Sequence, residues 1–138
     1  MILTDAGMKA LSGRLPKAIS PKTHAIIDAG IAGAFFLGAG LLWGTSKRAA
    51  IASLVCGAAE TAAILLTDYP AGLAKIIPFE THGRIDATLS GTVAMLPTVL
   101  GLGGRKRGLF FRLQALGIGA NASMTDFRAA TNSSRRAA

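Results

Sequence analysis

Two long stretches without an ionisable side chain constrain the fold of this chain more than any other feature. Residues 29–46 and 87–104 are each 18 residues long and contain no Asp, Glu, Lys, Arg or His. Runs of this length are candidate transmembrane helices. With their flanks they predict helices over about residues 24–44 and 82–102. At ~1.5 Å per residue such helices are about 31 Å long, which is close to the hydrocarbon thickness of a bilayer.

Two further helices are predicted over residues 48–68 and 106–126, and both carry polar side chains. The first is interrupted only by Glu60, whereas the second contains Arg112, Gln114 and Asn121. The chain has 138 residues, 51% of them hydrophobic and 16% charged, which excludes a disordered protein. It is also too short to surround four such helices with polar layers in water. We therefore expect a multi-pass membrane protein.

The sequence repeats itself at a shift of 58 positions without a gap. Residues 23–29 read THAIIDA and match THGRIDA at 81–87, and TDY at 67–69 matches TDF at 125–127. A basic pair between the two helices recurs at the same shift. Small apolar residues match by chance in membrane sequences, but a repeated His, Asp and Thr-Asp-aromatic ending is not explained in that way. We therefore interpret the chain as two copies of one helical hairpin.

The repeat defines the predicted organisation of the chain. The N-terminal segment is basic, and its Met8, Leu11 and Leu15 follow a helical spacing, so it is predicted either to lie on the membrane surface as a helix or to form a mobile tail. The last residues predict a basic disordered tail. The predicted boundaries are 1–22 for the N-terminal segment, 23–69 for the first repeat, 70–80 for the connecting loop, 81–127 for the second repeat and 128–138 for the tail.

An even number of spans in each repeat makes the two copies parallel. The predicted fold is therefore an all-α four-helix transmembrane bundle made of two parallel-duplicated helical hairpins. One face should gather the polar side chains at the helix ends, and the basic turns should lie at the other. Nine Lys and Arg residues flank the polar face and five lie in the turns, so we expect the polar face and both termini to be cytoplasmic. The residues predicted at the polar face are His24, Asp28, Asp68, His82, Asp86 and Asp126.

The central part of the chain resembles a known family. The residues that carry the resemblance are LLTDY at 65–69, Ile77-Pro78, and HGRID at 82–86. They are similar to the SPW-repeat family of small bacterial membrane proteins, although the Ser-Pro-Trp motif itself is absent. The resemblance covers roughly residues 20–128. It implies a duplicated two-helix unit in the bacterial plasma (inner) membrane, and it assigns no activity.

The His and Asp residues of each repeat are four positions apart, so they share one side of a helix. Imidazole and carboxylate are ligands for transition metals, and helical bundles build such sites from facing helices. The six residues of the polar face are therefore a candidate metal cluster. Three hypotheses stay open: a structural His/Asp network, with Thr23 and Thr81 as helix caps; a metal or haem site that uses His24 and His82, with or without redox activity; and proton or solute handling.

Glu60 and Arg112 are the ionisable residues predicted inside the membrane. Such groups are costly in lipid and usually face the interior of a bundle. Glu60 is predicted either to bond a neighbouring helix in its protonated form or to relay protons in a minimal proton-coupled carrier. Arg112 is predicted to reach toward Glu60 or to extend to the headgroups. Gln114 and Asn121 are expected to link helices.

The remaining features narrow the function classes. No phosphate-binding glycine loop and no Gly-x-Ser-x-Gly nucleophile motif is present, so we expect no enzyme. The net charge of +8 flanks membrane spans and predicts contact with anionic lipid headgroups instead of nucleic acid. A single cysteine excludes a disulfide framework. We expect a small structural or accessory membrane protein, either a homo-oligomer or part of a larger membrane complex.

Overall fold

Four helices connected by turns build the part of the chain that the structure, a computed structural model, describes, which is residues 15–128. That range contains no β-strand, and the prediction of an all-α protein with four helices is confirmed. Each helix begins one to three residues before its predicted start and ends two or three residues before its predicted end. The helices are α1 (Pro21–Leu42), α2 (Lys47–Leu66), α3 (Phe79–Val99) and α4 (Arg105–Met124).

Two predicted segments fall largely outside the described residues. The N-terminal segment over 1–22 is described only from residue 15 onward, so the surface helix predicted there lies outside the structure. The tail over 128–138 is described only at residue 128. Both interpretations stay predictions.

Prolines set where α1 and α3 begin. Ser20 is the N-cap of α1 and its hydroxyl accepts the Thr23 N–H at 3.2 Å, while Pro21 starts the helix. Proline suits this first position because its φ is already helical and the N–H it lacks would have no partner there. Pro78 is the N-cap of α3. The prediction that Thr23 and Thr81 cap these helices is therefore wrong, because both lie inside the first turn.

The two hairpins make equivalent contacts with each other. Within each hairpin the two helices pack along each other, and α1 also packs against α4 and α2 against α3. Isolated β-bridges join Ile19 to Thr125 and Thr67 to Ile77. The shift of 58 positions converts one bridge into the other, so the two repeats are related by an approximate two-fold axis.

The two ends of the bundle differ in composition. At one end the basic turns meet, and the Arg48 guanidinium donates to the Leu100 carbonyl at 2.8 Å. The starts of α1 and α3 and the ends of α2 and α4 meet at the opposite end. A hydrophobic core around Phe35, Val93 and Phe111 fills the bundle between the two ends.

The described surface is strongly apolar while several polar side chains are buried. Leu41 is 73% exposed, Val99 70% and Leu116 68%. By length and composition, α1 and α2 are the two described helices able to cross a membrane. The other two hold more charged residues, since α3 includes three near its start and α4 opens with three consecutive basic residues. The buried polar and charged residues are His24, Asp28, Ser53, Glu60, Thr67, His82, Asp86, Asn121 and Thr125.

Replacing Gly72 in the loop between the repeats should destabilise the fold. A Cβ at this position would overlap the backbone carbonyl of Thr67, which cannot move without disturbing the end of α2. We expect Gly72→Ala to lower the stability by about 1–3 kcal/mol, as forced overpacking does. Thermal unfolding in detergent measures this. Gly103→Ala is the matched control, because nothing lies within 4 Å of a Cβ there. Equal midpoints for the two variants would contradict the prediction.

Candidate metal centre

Four of the predicted site residues meet where α1 and α3 begin. His24 and Asp28 come from α1, and His82 and Asp86 come from α3. One ligand atom from each residue lies within 4.8 Å of all the others. The four side chains are between 0% and 2% exposed. The spacing of four positions places each His one turn from its Asp, so the first helix of each repeat contributes one His–Asp pair.

Nitrogen and oxygen atoms alternate around the cluster at nearly equal distances. His24 Nε2 lies 3.1 Å from Asp28 Oδ2 and 3.1 Å from Asp86 Oδ2. His82 Nε2 lies 3.2 Å from Asp28 Oδ2 and 3.3 Å from Asp86 Oδ1. Neighbouring ligands of a tetrahedral ion with bonds of ~2.0–2.1 Å are about 3.3–3.4 Å apart. These four nitrogen–oxygen distances, in which Asp86 takes part through both of its oxygens, are close to that spacing.

A threonine hydroxyl at the end of α2 fixes the tautomer of His82. Thr67 Oγ1 donates its only proton to the Ala63 carbonyl at 2.6 Å. The same oxygen lies 2.7 Å from His82 Nδ1 and can only accept there. Nδ1 of His82 therefore carries a proton.

The second repeat builds the same arrangement around the other histidine. Thr125 Oγ1 donates to the Asn121 carbonyl at 2.7 Å and lies 2.8 Å from His24 Nδ1. In their neutral forms both imidazoles thus present an Nε2 lone pair to the cluster. Metal-binding histidines characteristically donate their other ring N–H to such an oxygen, which orients the ring.

When both histidines are neutral, several acceptors in the cluster face one another without a donor. Among the described residues, His24 Nε2 and both carboxylate oxygens of Asp86 have no hydrogen-bond partner. His82 Nε2 faces Asp28 Oδ2 at hydrogen-bond distance. Lone pairs and carboxylates converging in a buried space repel unless a cation lies between them. A metal ion can bind the facing nitrogen and oxygen atoms of all four residues at once, whereas one proton bridges only one nitrogen–oxygen pair.

Asp28 is held by donors that Asp86 lacks. Asn121 Nδ2 donates to Asp28 Oδ1 at 2.7 Å, and the Tyr69 hydroxyl donates to Asp28 Oδ2 at 3.2 Å. Burial, followed by the negative charge of Asp28, raises the pKa of the Tyr69 phenol, so it stays protonated and keeps donating. At the repeat-equivalent positions the chain has Ala63 and Phe127, which offer no such donor.

Three aromatic rings cover the cluster on the side of the connecting loops. The centroids of Phe79 and Phe127 lie 5.4 and 5.3 Å from that of His24. The Tyr69 ring lies 5.2 Å from that of His82. The rings account for the complete burial of both imidazoles, and they leave the cluster enclosed by protein.

The geometry does not fit haem. The imidazole centroids of His24 and His82 are only 5.3 Å apart, with their planes at 74°. Both Nε2 atoms point toward the same two carboxylates. A porphyrin bound between two axial histidines would have to displace Asp28 and Asp86 together. The haem version of the metal hypothesis is therefore not supported by this site.

Two of the six predicted residues lie outside the cluster. Asp68 has a side chain that is 60% exposed and pairs with Lys75 at 3.3 Å. Asp126 accepts the Arg128 N–H at 3.1 Å. Each follows a threonine whose side chain is buried against a histidine, whereas Asp68 is exposed and Asp126 is half-buried. In each Thr-Asp motif the threonine, not the aspartate, serves the site.

The two ionisable residues predicted inside the membrane, Glu60 and Arg112, differ in their exposure. Glu60 is fully buried, and neither carboxyl oxygen has a hydrogen-bond partner within residues 15–128. Arg112 is exposed. Neither the predicted bond from Glu60 to a neighbouring helix nor a contact with Arg112 is present among these residues. Gln114 and Asn121 do link helices, since their amides donate to the carbonyls of Ile31 at 3.4 Å and His24 at 3.3 Å.

Sequence reasoning missed four residues of the site. Thr67 and Thr125 belong to the repeated motif but were not given a role. The sequence pattern assigns Tyr69 no place in the site, and it predicts for Asn121 only a link between helices. The signal available for Tyr69 and Asn121 was a difference between the two repeats. Each is polar, whereas the equivalent residue in the other repeat, Phe127 or Ala63, is not.

Comparison of the chain with protein-family models, curated proteins and solved structures finds no match. The resemblance to the SPW-repeat family therefore stays a prediction. Function has to be inferred from the site itself.

Replacing either threonine by valine should destabilise the protein to a similar degree. Thr67→Val and Thr125→Val keep the shape but leave a buried imidazole N–H without an acceptor, which costs about 1–3 kcal/mol. The measurement is the thermal unfolding midpoint in detergent. Thr92→Val is the control, because Thr92 is exposed and its hydroxyl donates only within α3. If Thr92→Val matched the other two, the proposed hydrogen bonds would contribute nothing.

Proposed function

We propose that the chain is a small integral membrane protein that binds one divalent transition-metal ion between its two repeats. The ligands are His24, Asp28, His82 and Asp86. The observation that carries this proposal is the convergence of two imidazole Nε2 atoms, oriented by threonine hydroxyls, on two buried carboxylates.

The ligand chemistry favours a borderline or moderately hard ion. Two imidazole nitrogens and two carboxylate oxygens suit Zn²⁺, Fe²⁺ or Mn²⁺, whereas a soft ion prefers thiolate. Two carboxylates and two neutral imidazoles balance a divalent charge. That balance is important because an uncompensated charge in this buried position would be strongly unfavourable.

The ion would have a structural role. All four ligands come from the protein, and the three aromatic rings leave no open side for a substrate. Closed metal sites of this kind contribute folding energy instead of catalysis. The ion would join α1 to α3, and hence the first repeat to the second. This proposal agrees with the non-enzymatic, accessory role expected from the sequence. It adds that the His/Asp network binds a metal ion.

We also propose that all four helices cross a bacterial plasma membrane. The helices have similar lengths of 20 to 22 residues, and α3 and α4 pack alongside the two more apolar ones. Polar groups are buried while large apolar side chains face outward, as lipid requires. The site would lie near the cytoplasmic face, the basic turns would contact anionic headgroups, and the apolar surface would allow the chain to form oligomers.

Metal binding should depend on the four cluster residues. We expect the protein purified in detergent to retain about one transition-metal ion per chain, measured by elemental analysis after gel filtration. Removing a ligand with His82→Ala should weaken binding by more than the roughly 10–100-fold that outer-shell changes cause. Asp68→Asn is the matched control, because it removes an aspartate outside the cluster. Metal-free wild-type protein that cannot be loaded, or equal loss in both variants, would contradict the proposal.

The parallel orientation of the two hairpins in the membrane can be tested by the accessibility of introduced cysteines. In a Cys56→Ala background, single cysteines introduced by Gly44→Cys and Gly103→Cys should react with a membrane-impermeant maleimide in intact bacterial cells. A cysteine from Pro70→Cys, at the opposite end of the bundle, should react only after permeabilisation. Labelling of the positions 44 and 103 from opposite sides would exclude two parallel hairpins.

A further inference from the structure

The two aspartates of the proposed centre face the imidazoles in different ways. Oδ2 of Asp28 lies 3.1 Å from His24 Nε2 and 3.2 Å from His82 Nε2, so one oxygen meets both rings. Asp86 uses both of its oxygens, with Oδ2 3.1 Å from His24 Nε2 and Oδ1 3.3 Å from His82 Nε2. The converging atoms are therefore two nitrogens, one oxygen of Asp28 and two oxygens of Asp86.

The second oxygen of Asp28 is occupied by a side chain of α4. Asn121 Nδ2 donates to Asp28 Oδ1 at 2.7 Å and to the His24 carbonyl at 3.3 Å. Both partners are acceptors, which fixes the amide with its nitrogen toward them. Tyr69 also donates to Asp28 Oδ2 at 3.2 Å, so that oxygen keeps one of its two lone pairs for the centre. Asp28 is thus held as a ligand with one available oxygen.

Asp86 has no such restraint among the described residues, where neither of its oxygens has a hydrogen-bond partner. The residue equivalent to Asn121 in the first repeat is Ala63. The two positions have the same backbone role, because the Ala63 and Asn121 carbonyls accept the hydroxyls of Thr67 and Thr125. The methyl group of Ala63 cannot donate to a carboxylate. Both oxygens of Asp86 are therefore available to one ion.

We propose that the centre binds its ion through five donor atoms, one oxygen of Asp28 and two of Asp86 beside the two imidazoles, and that Asn121 is the positioning residue that sets this number. The inference rests on the proposed function, because it specifies how the same four residues hold the ion. Asn121 and Ala63 are both neutral, so the two carboxylates still balance one divalent ion. Structural zinc sites are almost always four-coordinate, whereas Mn²⁺ and Fe²⁺ use sites with more ligands. The difference between the aspartates therefore favours Mn²⁺ or Fe²⁺ over Zn²⁺.

Cobalt substitution measures the number of ligands. Full-length protein purified in detergent is loaded with Co²⁺ alone, because the visible absorption of this ion weakens as ligands are added to a tetrahedral site. We expect the wild type to show the intermediate intensity of five-coordinate Co²⁺. Ala63→Asn supplies Asp86 with the amide that Asp28 already has, so the absorption should rise toward that of a tetrahedral ion. Asn121→Ala releases the second oxygen of Asp28, so the absorption should fall below that of the wild type.

Gln114→Ala is the matched control, because it removes another amide of α4 that donates between helices, in this case to the Ile31 carbonyl. Its Co²⁺ spectrum should equal that of the wild type. In competition between Mn²⁺ and Zn²⁺, Ala63→Asn should shift the binding ratio toward Zn²⁺ by at least about tenfold, the lower end of what changes around metal ligands cause. Equal loss of affinity for both ions is the result of general destabilisation, and it would contradict the inference.

The outcomes separate this inference from the proposed function. Strong tetrahedral absorption in the wild type would overturn the five-coordinate site and leave the metal centre in place. Identical spectra of the wild type, Ala63→Asn and Asn121→Ala would overturn the positioning role of Asn121. Absence of bound Co²⁺, Mn²⁺, Zn²⁺ and Fe²⁺ in the wild type would end both proposals. Because the wild-type spectrum alone distinguishes a five-coordinate from a tetrahedral ion, the test stands even where a variant fails to fold.

Discussion

The hydrogen bonds from the two imidazoles to the threonines at the ends of α2 and α4 determine the character of the site. Each threonine has one hydroxyl proton, which it donates to the backbone carbonyl four residues earlier in the chain. The remaining lone pair then accepts the Nδ1 proton of a histidine from the other repeat. Both Nε2 atoms are thereby turned toward the carboxylates. Without these bonds the rings could rotate or change tautomer, and the cluster would be four polar side chains without a common centre.

Duplication explains the common centre and divergence explains its asymmetry. The two copies place one His, one Asp and one Thr in equivalent positions around an approximate two-fold axis. Later differences then distinguish the two aspartates, because Tyr69 and Asn121 donate hydrogen bonds to Asp28, whereas the repeat-equivalent residues are Phe127 and Ala63. The repeat therefore provides the ligands, and the departures from it give each ligand a different environment.

Much of this arrangement could be predicted from the sequence. Uncharged stretches and the 58-residue repeat predict four helices and bring His24, Asp28, His82 and Asp86 together, since a parallel duplication must place equivalent residues at one end. The helix starts were less predictable, because Pro21 and Pro78 move them to positions that the threonine pattern does not show. Which member of each Thr-Asp motif joins the four-residue cluster depends on the local geometry of the helix end, so the sequence does not show that Asp68 and Asp126 lie outside it.

The exchange of threonines between the repeats has a consequence for how the molecule assembles. The hydroxyl that orients each imidazole belongs to the opposite hairpin, so an isolated hairpin contains a histidine whose Nδ1–H lacks its threonine acceptor. Neither half can prepare its ligands before docking onto its counterpart. Binding of the proposed ion would consequently be coupled to the joining of the halves, and the same geometry would be available to two separate copies of a single ancestral hairpin. The fused chain makes permanent an association that the shared His/Asp cluster requires.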